Sequence, residues 1–393
     1  MIELLAPAGD LEKLKIACLY GADAVFIGGT DFSLRARASN FTLTDIKEAT
    51  SFAHQLNKKV YVTTNIIPHH TDFSGLIEYL KGLEAAEVDA IIAASPAIID
   101  ATIKHTNLEV HLSTQQSSMN AQTVRFWHQM GVKRIVLGRE LDVEQIKHLK
   151  AQTDADVEVF IHGGMCMSYS GRCSLSNTMT DRDANRGGCA HSCRWSYILT
   201  QHNKTVNDAV FSMSSKDLEA IDYIPQLIDA GVSSLKIEGR MKSLHYIASV
   251  VSTYRMLIDA YTKIHEIKDF TPYHIALSKA ENRLASTGFL GGTPGVEQQL
   301  YNQRSEQPNQ LFIGLVQSYD ASNHMALVEQ RNYFKIGDDV ELFTPNGSVL
   351  SFKIETLMDI DKQPIEVARH PKQQLYINMP YQAEPYAMLR KRL

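Results

Sequence analysis

No stretch of this 393-residue sequence is long and apolar enough to read as a membrane span. The most apolar one, residues 90–103, is broken by Ser95, Pro96 and Asp100, and it falls short of the roughly 20 residues that a crossing helix needs. An excess of positive charge is also missing. The 39 Lys and Arg face 44 Asp and Glu, a net charge of −5. That excludes a broad cationic surface for nucleic acid and leaves any RNA contact to a local basic patch. The chain opens Met-Ile-Glu-Leu-Leu, without the basic head and apolar core of a secretory signal, so a cytoplasmic protein away from the membrane is expected. The hydrolase and nucleotide-binding signatures H-E-x-x-H, G-x-S-x-G and G-x-x-x-x-G-K-[ST] do not occur. Repeats and low-complexity tracts are absent too.

What is present has the balance of a soluble globular enzyme, 44% hydrophobic and 21% charged. The length predicts one large domain with a smaller one beside it. Cysteine is scarce, five in all, yet four of the five fall within 28 residues and only Cys18 stands apart. A disulfide framework belongs to short secreted chains. In a reducing compartment such a group of thiols more often binds metal. Cys18 lies on the apolar helical face Leu14-Lys15-Ile16-Ala17-Cys18-Leu19 and reads as a small buried hydrophobe.

Short β-branched runs recur, each followed by a helical pattern, and predict strands at 3–6, 24–28, 59–64, 90–94, 109–113, 134–138, 157–162 and 234–238. Strands alternating with helices imply parallel pairing through right-handed crossovers, and eight of them close a (β/α)₈ TIM-like barrel. The alternative, a doubly wound open sheet, lacks its usual G-x-G-x-x-G after the first strand. Between the seventh and eighth strands lie about seventy residues, far more than a crossover needs. This insert, at about 163–233, holds all four grouped cysteines and a predicted hairpin of 195–200 with 209–213. A long helix is expected from 243 to about 263. The barrel with its insert is assigned to residues 1–300. Short alternating segments at 312–316, 325–329, 339–343, 349–354 and 375–379 predict a small C-terminal β-barrel over 310–393. In a barrel of this kind, loops at the C-terminal strand ends build the active site, so the position of the insert is itself informative.

The cysteine spacing is Cys166-x6-Cys173-x15-Cys189-x3-Cys193. Four thiolates that converge suit either tetrahedral zinc or an iron–sulfur cluster. Zinc knuckles pair cysteines two to four residues apart, which only the last pair satisfies. Arg172, Arg182, Arg186, His191 and Arg194 surround the set and offset the charge that thiolates bring. A Cys166/His162 nucleophile pair is a third reading, four residues apart, but it leaves three neighbouring cysteines unexplained.

The segment Glu158-Val159-Phe160-Ile161-His162-Gly163-Gly164-Met165-Cys166, followed by Ser170-Gly171-Arg172-Cys173-Ser174-Leu175-Ser176, resembles the signature of the collagenase-like "U-thirty-two" peptidase family. Glu3-Leu4-Leu5-Ala6-Pro7-Ala8-Gly9, the stretch from Gly21 to Gly29, Leu112-Ser113-Thr114-Gln115-Gln116 and the stretch from Ser234 to Ser243 resemble the family as well. So does the C-terminal segment, which is similar to small barrels of translation factors. Within the family the chain is most similar to the prephenate-dependent tRNA uridine hydroxylation proteins. The resemblance implies a 4Fe-4S cluster on Cys166, Cys173, Cys189 and Cys193, with prephenate as co-substrate; zinc stays the alternative metal that the spacing leaves open. It also implies tRNA as partner, a related family subunit as a further one, and formation of 5-hydroxyuridine at the wobble position. The alternatives are a peptidase and a non-catalytic scaffold subunit; the resemblance assigns no catalytic residue and no oligomeric state.

Further candidates follow from strand ends. Gln115 and Gln116 close the fifth strand and read as substrate-facing amides or as polar rim. Arg35 and Arg37 follow the second strand, two residues apart on one side, and a guanidinium pair suits a dicarboxylate such as prephenate. Arg139 and Glu140 close the sixth strand. Glu238, Arg240 and Lys242 follow the eighth, where barrels often bind phosphate or carboxylate. His69 and His70 lack metal-ligand context. Arg390-Lys391-Arg392 reads as a solvated charged tail, with RNA phosphates as its functional alternative.

Overall fold

The computed structural model describes residues 2–34, 40–202, 204–280, 283–300 and 309–393. Seven strands alternate with six helices along the first part of the chain. The strands are β1 (Glu3–Pro7), β2 (Ala24–Gly28), β3 (Lys59–Thr64), β4 (Ala90–Ala93), β5 (Glu109–Leu112), β6 (Arg134–Val136) and β7 (Asp156–Gly163). The helices are α1 (Leu11–Leu19), α2 (Leu43–Gln55), α3 (Leu76–Ala85), α4 (Pro96–His105), α5 (Ala121–Gln129) and α6 (Val143–Lys150). Short polar side chains start several of them: Asp10, Thr42, Asn120 and Asp142 each accept from a backbone N–H of the first turn, which supplies donors that would otherwise lack partners. The insert then carries α7 (Leu175–Thr180) and a hairpin of β8 (Tyr197–Gln201) with β9 (Lys204–Phe211). It ends in β10 (Asp217–Glu219), which lies antiparallel on the end of β7. After α8 (Ile224–Asp229) comes β11 (Ser234–Ile237), parallel to both β7 and β1. That double pairing closes an eight-stranded parallel barrel, as the alternating pattern predicts.

Side-chain alternation divides each strand between two cores. Leu4, Ala6, Val25, Ile27, Val60, Val62 and Ile91 face the helices, while Leu5, Ala24, Phe26, Tyr61, Ala90 and Ile92 fill the barrel. The interior also holds charge. Arg134 bridges Glu3 at 2.5 Å and Glu158 at 3.4 Å, Lys236 Nζ donates to Glu158 Oε1 at 2.7 Å, and the Tyr61 hydroxyl donates to Glu3 at 2.7 Å. Two acids matched by two cations keep this buried layer near neutrality, the condition for tolerating charge out of water.

α9 (Leu244–Ile264) follows, close to the predicted bounds, with Ser243 as its cap. α10 (Thr271–Ser278) and β12 (Ala285–Ser286) lead toward the second unit. There β13 (Gln310–Asp320), β14 (Met325–Gln330), β15 (Phe334–Lys335), β16 (Asp339–Phe343) and β17 (Val349–Lys353) are followed by β18 (Leu357–Asp359), β19 (Val367–Ala368), β20 (Gln374–Asn378) and β21 (Met388–Arg392). Seven of them form one antiparallel sheet in the order β17-β16-β21-β13-β14-β20-β18, and β15 pairs with β19. The terminal basic triplet is therefore not a solvated tail. It lies in β21 between β13 and β16, where Arg390 is buried against Glu341 at 2.8 Å and Lys391 bonds Asp338 at 2.8 Å. Among the described residues no helix is long and apolar enough to cross a membrane.

Candidate active site at the barrel mouth

A cavity of about 350 Å³ opens at the C-terminal ends of the barrel strands. Phe26, Phe160 and Lys236 form its floor, and the insert roofs it with all four grouped cysteines in the lining. Lys236 lies 4.6 Å from the Phe26 ring centroid and 5.3 Å from that of Phe160. Glu158 bonds it from below, so its ammonium sits between a carboxylate and two aromatic rings.

Several contacts tie the insert to the barrel. Glu140, just beyond β6, accepts from the Ser170 backbone N–H at 2.6 Å and from its hydroxyl at 3.1 Å. Arg186 pairs with Asp72 of the loop after β3, and the Ile67 N–H donates to the Asn185 carbonyl at 2.9 Å. Within the insert, the Asn185 amide donates to the Cys173 carbonyl at 3.1 Å, and the Leu175 N–H points at Cys173 Sγ at 3.3 Å. Cys166 Sγ lies 2.9 Å from the Ser168 hydroxyl. Burial raises the Cys193 thiol above its ordinary pKa; Cys166, Cys189 and Cys173 push the same way, while Arg194 opposes them. The four thiols thus converge on one space. Among the described residues no three His, Cys, Asp or Glu side chains stand close enough together to hold a single metal ion. Around one zinc at about 2.3 Å per bond, tetrahedral sulfurs would sit only about 3.8 Å apart.

The strand-end candidates divide. Arg139 lines the cavity, donating to the Gly164 carbonyl at 2.8 Å with its guanidinium 3.8 Å from the Phe160 ring centroid. Arg240 is buried in the wall, donating to Ser33 and Asn40 at 3.3 Å each. Gly28 makes room for it, since a Cβ there would fall 2.2 Å from Arg240 Nη2. Glu238 and Lys242 also line the cavity, with Lys242 Nζ 5.2 Å from the Tyr246 ring centroid. Gln115 is buried in the lining: its Oε1 accepts from Asn65 and Ser113, while its Nε2 finds no acceptor among the described residues. Gln116 is not brought to the cavity. Its amide donates to the Ala94 carbonyl, because the tight turn after β5 sends the two adjacent glutamines apart. Arg35 and Arg37 lie outside the described residues.

His69 stands 3.6 Å from Asp183 of the insert, a surface contact, and His70 begins a short exposed turn. The Cys166/His162 pair is not assembled in the cavity. A bulge between the Lys236–Phe160 and Ile237–His162 pairings interrupts the inward alternation. His162 is buried with Nδ1 3.2 Å from the Tyr254 hydroxyl, outside the cavity lining. Sequence reasoning passed over Lys236, although its spacing two before Glu238 on an inward-facing strand could have revealed it. It also missed Arg283, which lines the cavity and bonds Ser214 at 2.7 Å and Asp217 at 3.3 Å. No local signal joins residues so far apart in the chain.

The chain is 48% identical to "tRNA hydroxylation protein P1" of Bacillus subtilis (strain 168), over 99% of its own length and 94% of that protein's. It is 40% identical to the "23S rRNA 5-hydroxycytidine C2501 synthase" of Escherichia coli (strain K12), over 66% of this chain and 39% of that one. A third relative, 30% identical over 90% of this chain and 89% of its own, is the "Collagenase" of Porphyromonas gingivalis (strain ATCC BAA-308 / W83). The profile of peptidase family U32 matches residues 9–300, and that of the peptidase family U32 C-terminal domain matches 308–390. With both units matched in order, the chain belongs to peptidase family U32.

Proposed function

We propose that this protein is a tRNA-modifying hydroxylase that converts wobble uridine to 5-hydroxyuridine in a prephenate-dependent reaction, with a 4Fe-4S cluster on Cys166, Cys173, Cys189 and Cys193. One observation carries the reading. The four thiols hang over the reactive end of a barrel in a chain 48% identical, end to end, to a tRNA hydroxylation protein. Their fit to a cluster rests on two features. All four donors are sulfur and line one cavity, and Arg194 and the Leu175 N–H offset thiolate charge. A bound cluster supplies one-electron transfer.

The protein's own residues bind and orient. The aromatic floor accepts a flat base, and the free donor of Gln115 suits a pyrimidine carbonyl. Arg139, Arg240 and Lys242 supply positive charge for phosphate or carboxylate groups. Prephenate is the proposed co-substrate. A base must leave its stack to enter such a cavity, and an anticodon loop is already partly unstacked.

Mass spectrometry of digested tRNA tests the function. A strain lacking this gene and any redundant oxygen-dependent route should lose 5-hydroxyuridine derivatives, and Cys173→Ala or Cys193→Ala should fail to restore them. Protein purified without oxygen should contain close to four iron and four sulfide per chain, a ratio set by the proposed cluster. Unchanged tRNA nucleosides, with proteolysis that depends on one cysteine, would establish the peptidase alternative instead.

A further inference from the structure

We infer that Trp195 and Tyr169 are stacking platforms for the unstacked nucleotides that flank the target base on the RNA. The inference rests on the proposed RNA substrate and concerns how it is held. Each aromatic sits on a short turn that also supplies the cavity wall: Tyr169 lies between the lining residues Ser168 and Ser170, and Trp195 directly follows Arg194. Tyr169 is 58% exposed and Trp195 42%. A single exposed aromatic needs no explanation, but these two share a setting. The other tryptophan, Trp127, packs edge-on against Phe126 with centroids 5.4 Å apart, whereas among the described residues no ring packs against Tyr169 or Trp195.

The turns that carry the rings are also fixed. The Ser170 backbone next to Tyr169 is fixed by Glu140, and the Tyr169 hydroxyl reaches the Met119 sulfur beyond β5. The Trp195 backbone N–H donates to the Ser192 carbonyl at 3.1 Å, closing the turn that carries Cys193. Charge favours a polyanion over an apolar protein segment. Arg172 and Arg194 are exposed beside the two rings, while nearby carboxylates are already engaged: Glu140 by Ser170, Asp183 near His69 and Asp217 by Arg283. Exposed aromatic faces interleaved with arginine are what single-stranded nucleic acid uses, because every base offers a π-face and every link a phosphate. Duplex RNA, with its bases already stacked, has nothing to offer these rings.

The chain's two tryptophans make the test direct. In full-length Trp127→Phe protein, Trp195 is the sole indole, and an anticodon stem-loop RNA should quench its fluorescence while a fully paired duplex of equal length should not. Trp195→Ala should weaken stem-loop binding, read by anisotropy of labelled RNA, by roughly five- to 150-fold, the effect of losing one base stack. Trp195→Phe should retain most of the affinity, and Tyr169→Ala should weaken binding in the same direction. The inference is overturned if saturating stem-loop leaves Trp195 fluorescence unchanged, or if Trp195→Ala binds within about twofold of wild type. It is equally overturned if duplex binds as well as the stem-loop, if Phe is no better than Ala, or if only a protein partner perturbs the indole. Should the alanine variant fail to fold, the fluorescence measurement still decides. Failure of the hydroxylation reading is seen separately, in the tRNA nucleosides of the deletion strain.

Discussion

Cys18 and Cys193 carry the same thiol in opposite surroundings. Cys18 is 4% exposed within the helical core, and burial drives its pKa up to about 12, with Lys58 opposing. A thiol held protonated inside an apolar core is neither a metal ligand nor a nucleophile. Cys193 is only half-buried and stands among three further sulfurs at the barrel mouth. Cys18→Ala should therefore leave the iron and sulfide content of anaerobically purified protein unchanged. The lost sulfur should cost about 1 kcal/mol in a denaturant titration, the scale of one small buried group. Loss of iron from a normally folded Cys18→Ala protein would place a ligand where the core now lies.

At the scale of elements, the insert matters because the barrel holds it. Ser170 lies midway between Cys166 and Cys173 and takes a left-handed backbone conformation, φ +49°, that a side chain rarely adopts. The Glu140 carboxylate fixes it through both its N–H and its hydroxyl. Glu140 is thus a positioning residue for the cysteine loop. Glu140→Ala should lower the iron retained per chain and expose residues 166–173 to limited proteolysis, while the thermal midpoint of the barrel moves by only a few degrees. Glu140→Gln keeps one acceptor oxygen and should recover part of the loss. Iron content and cleavage identical to wild type would remove this role.

How much of this could be read in advance depended on where each contact reaches. The eight barrel strands were legible because burial on both faces leaves β-branched runs. Their ends were less so: at β6 the ladder stops at Val136, since Leu137 leaves it for a lone bridge with Ser118. The exposed hairpin carries no apolar alternation to mark its start, so β9 begins at Lys204 and not at 209. β21 was missed because its charged residues find partners in and just before β16, about fifty positions earlier. The same distinction divides the site. Four cysteines close in sequence announce themselves, whereas Arg283 and the turned-away Gln116 depend on packing that no local pattern carries.

Across the whole molecule, the two units share a continuous interface in which apolar packing is joined by polar contacts. The Tyr20 hydroxyl meets the Phe343 and Tyr386 carbonyls at 3.0 Å each, and Phe312, Leu315, Phe343 and Met388 extend the barrel's apolar core into the C-terminal sheet. His245 of α9 is fully buried there, nearly parallel to Phe312 at 6.0 Å, with Arg390 Nη1 3.5 Å from its Nε2. Burial, followed by the Arg390 charge, lowers its pKa to about 3. His111 inside the barrel is shifted down as well, chiefly by burial. The unfolded chain takes up protons on these rings below about pH 6.5, and the folded chain does not. Their stabilising effect is therefore complete above that pH and declines as pH falls, by up to about 1.4 kcal/mol per pH unit for each ring. Glu341, whose burial is outweighed by its bonds from Lys279 and Arg390, has a lowered pKa. Its contribution is lost only at lower pH, below the unfolded carboxylate range. His274 moves the other way, its burial outweighed by bonds to Asp222 and Glu219 that raise its pKa, so its effect lies mainly above pH 6.5 and the fall from pH 6.5 to 5 comes chiefly from the two buried rings. Urea titrations across that range should show stability falling with acid, and His245→Gln should start less stable at neutral pH yet fall less steeply. A variant slope equal to that of wild type would mean that the buried ring at the junction takes no part in the acid sensitivity of the molecule.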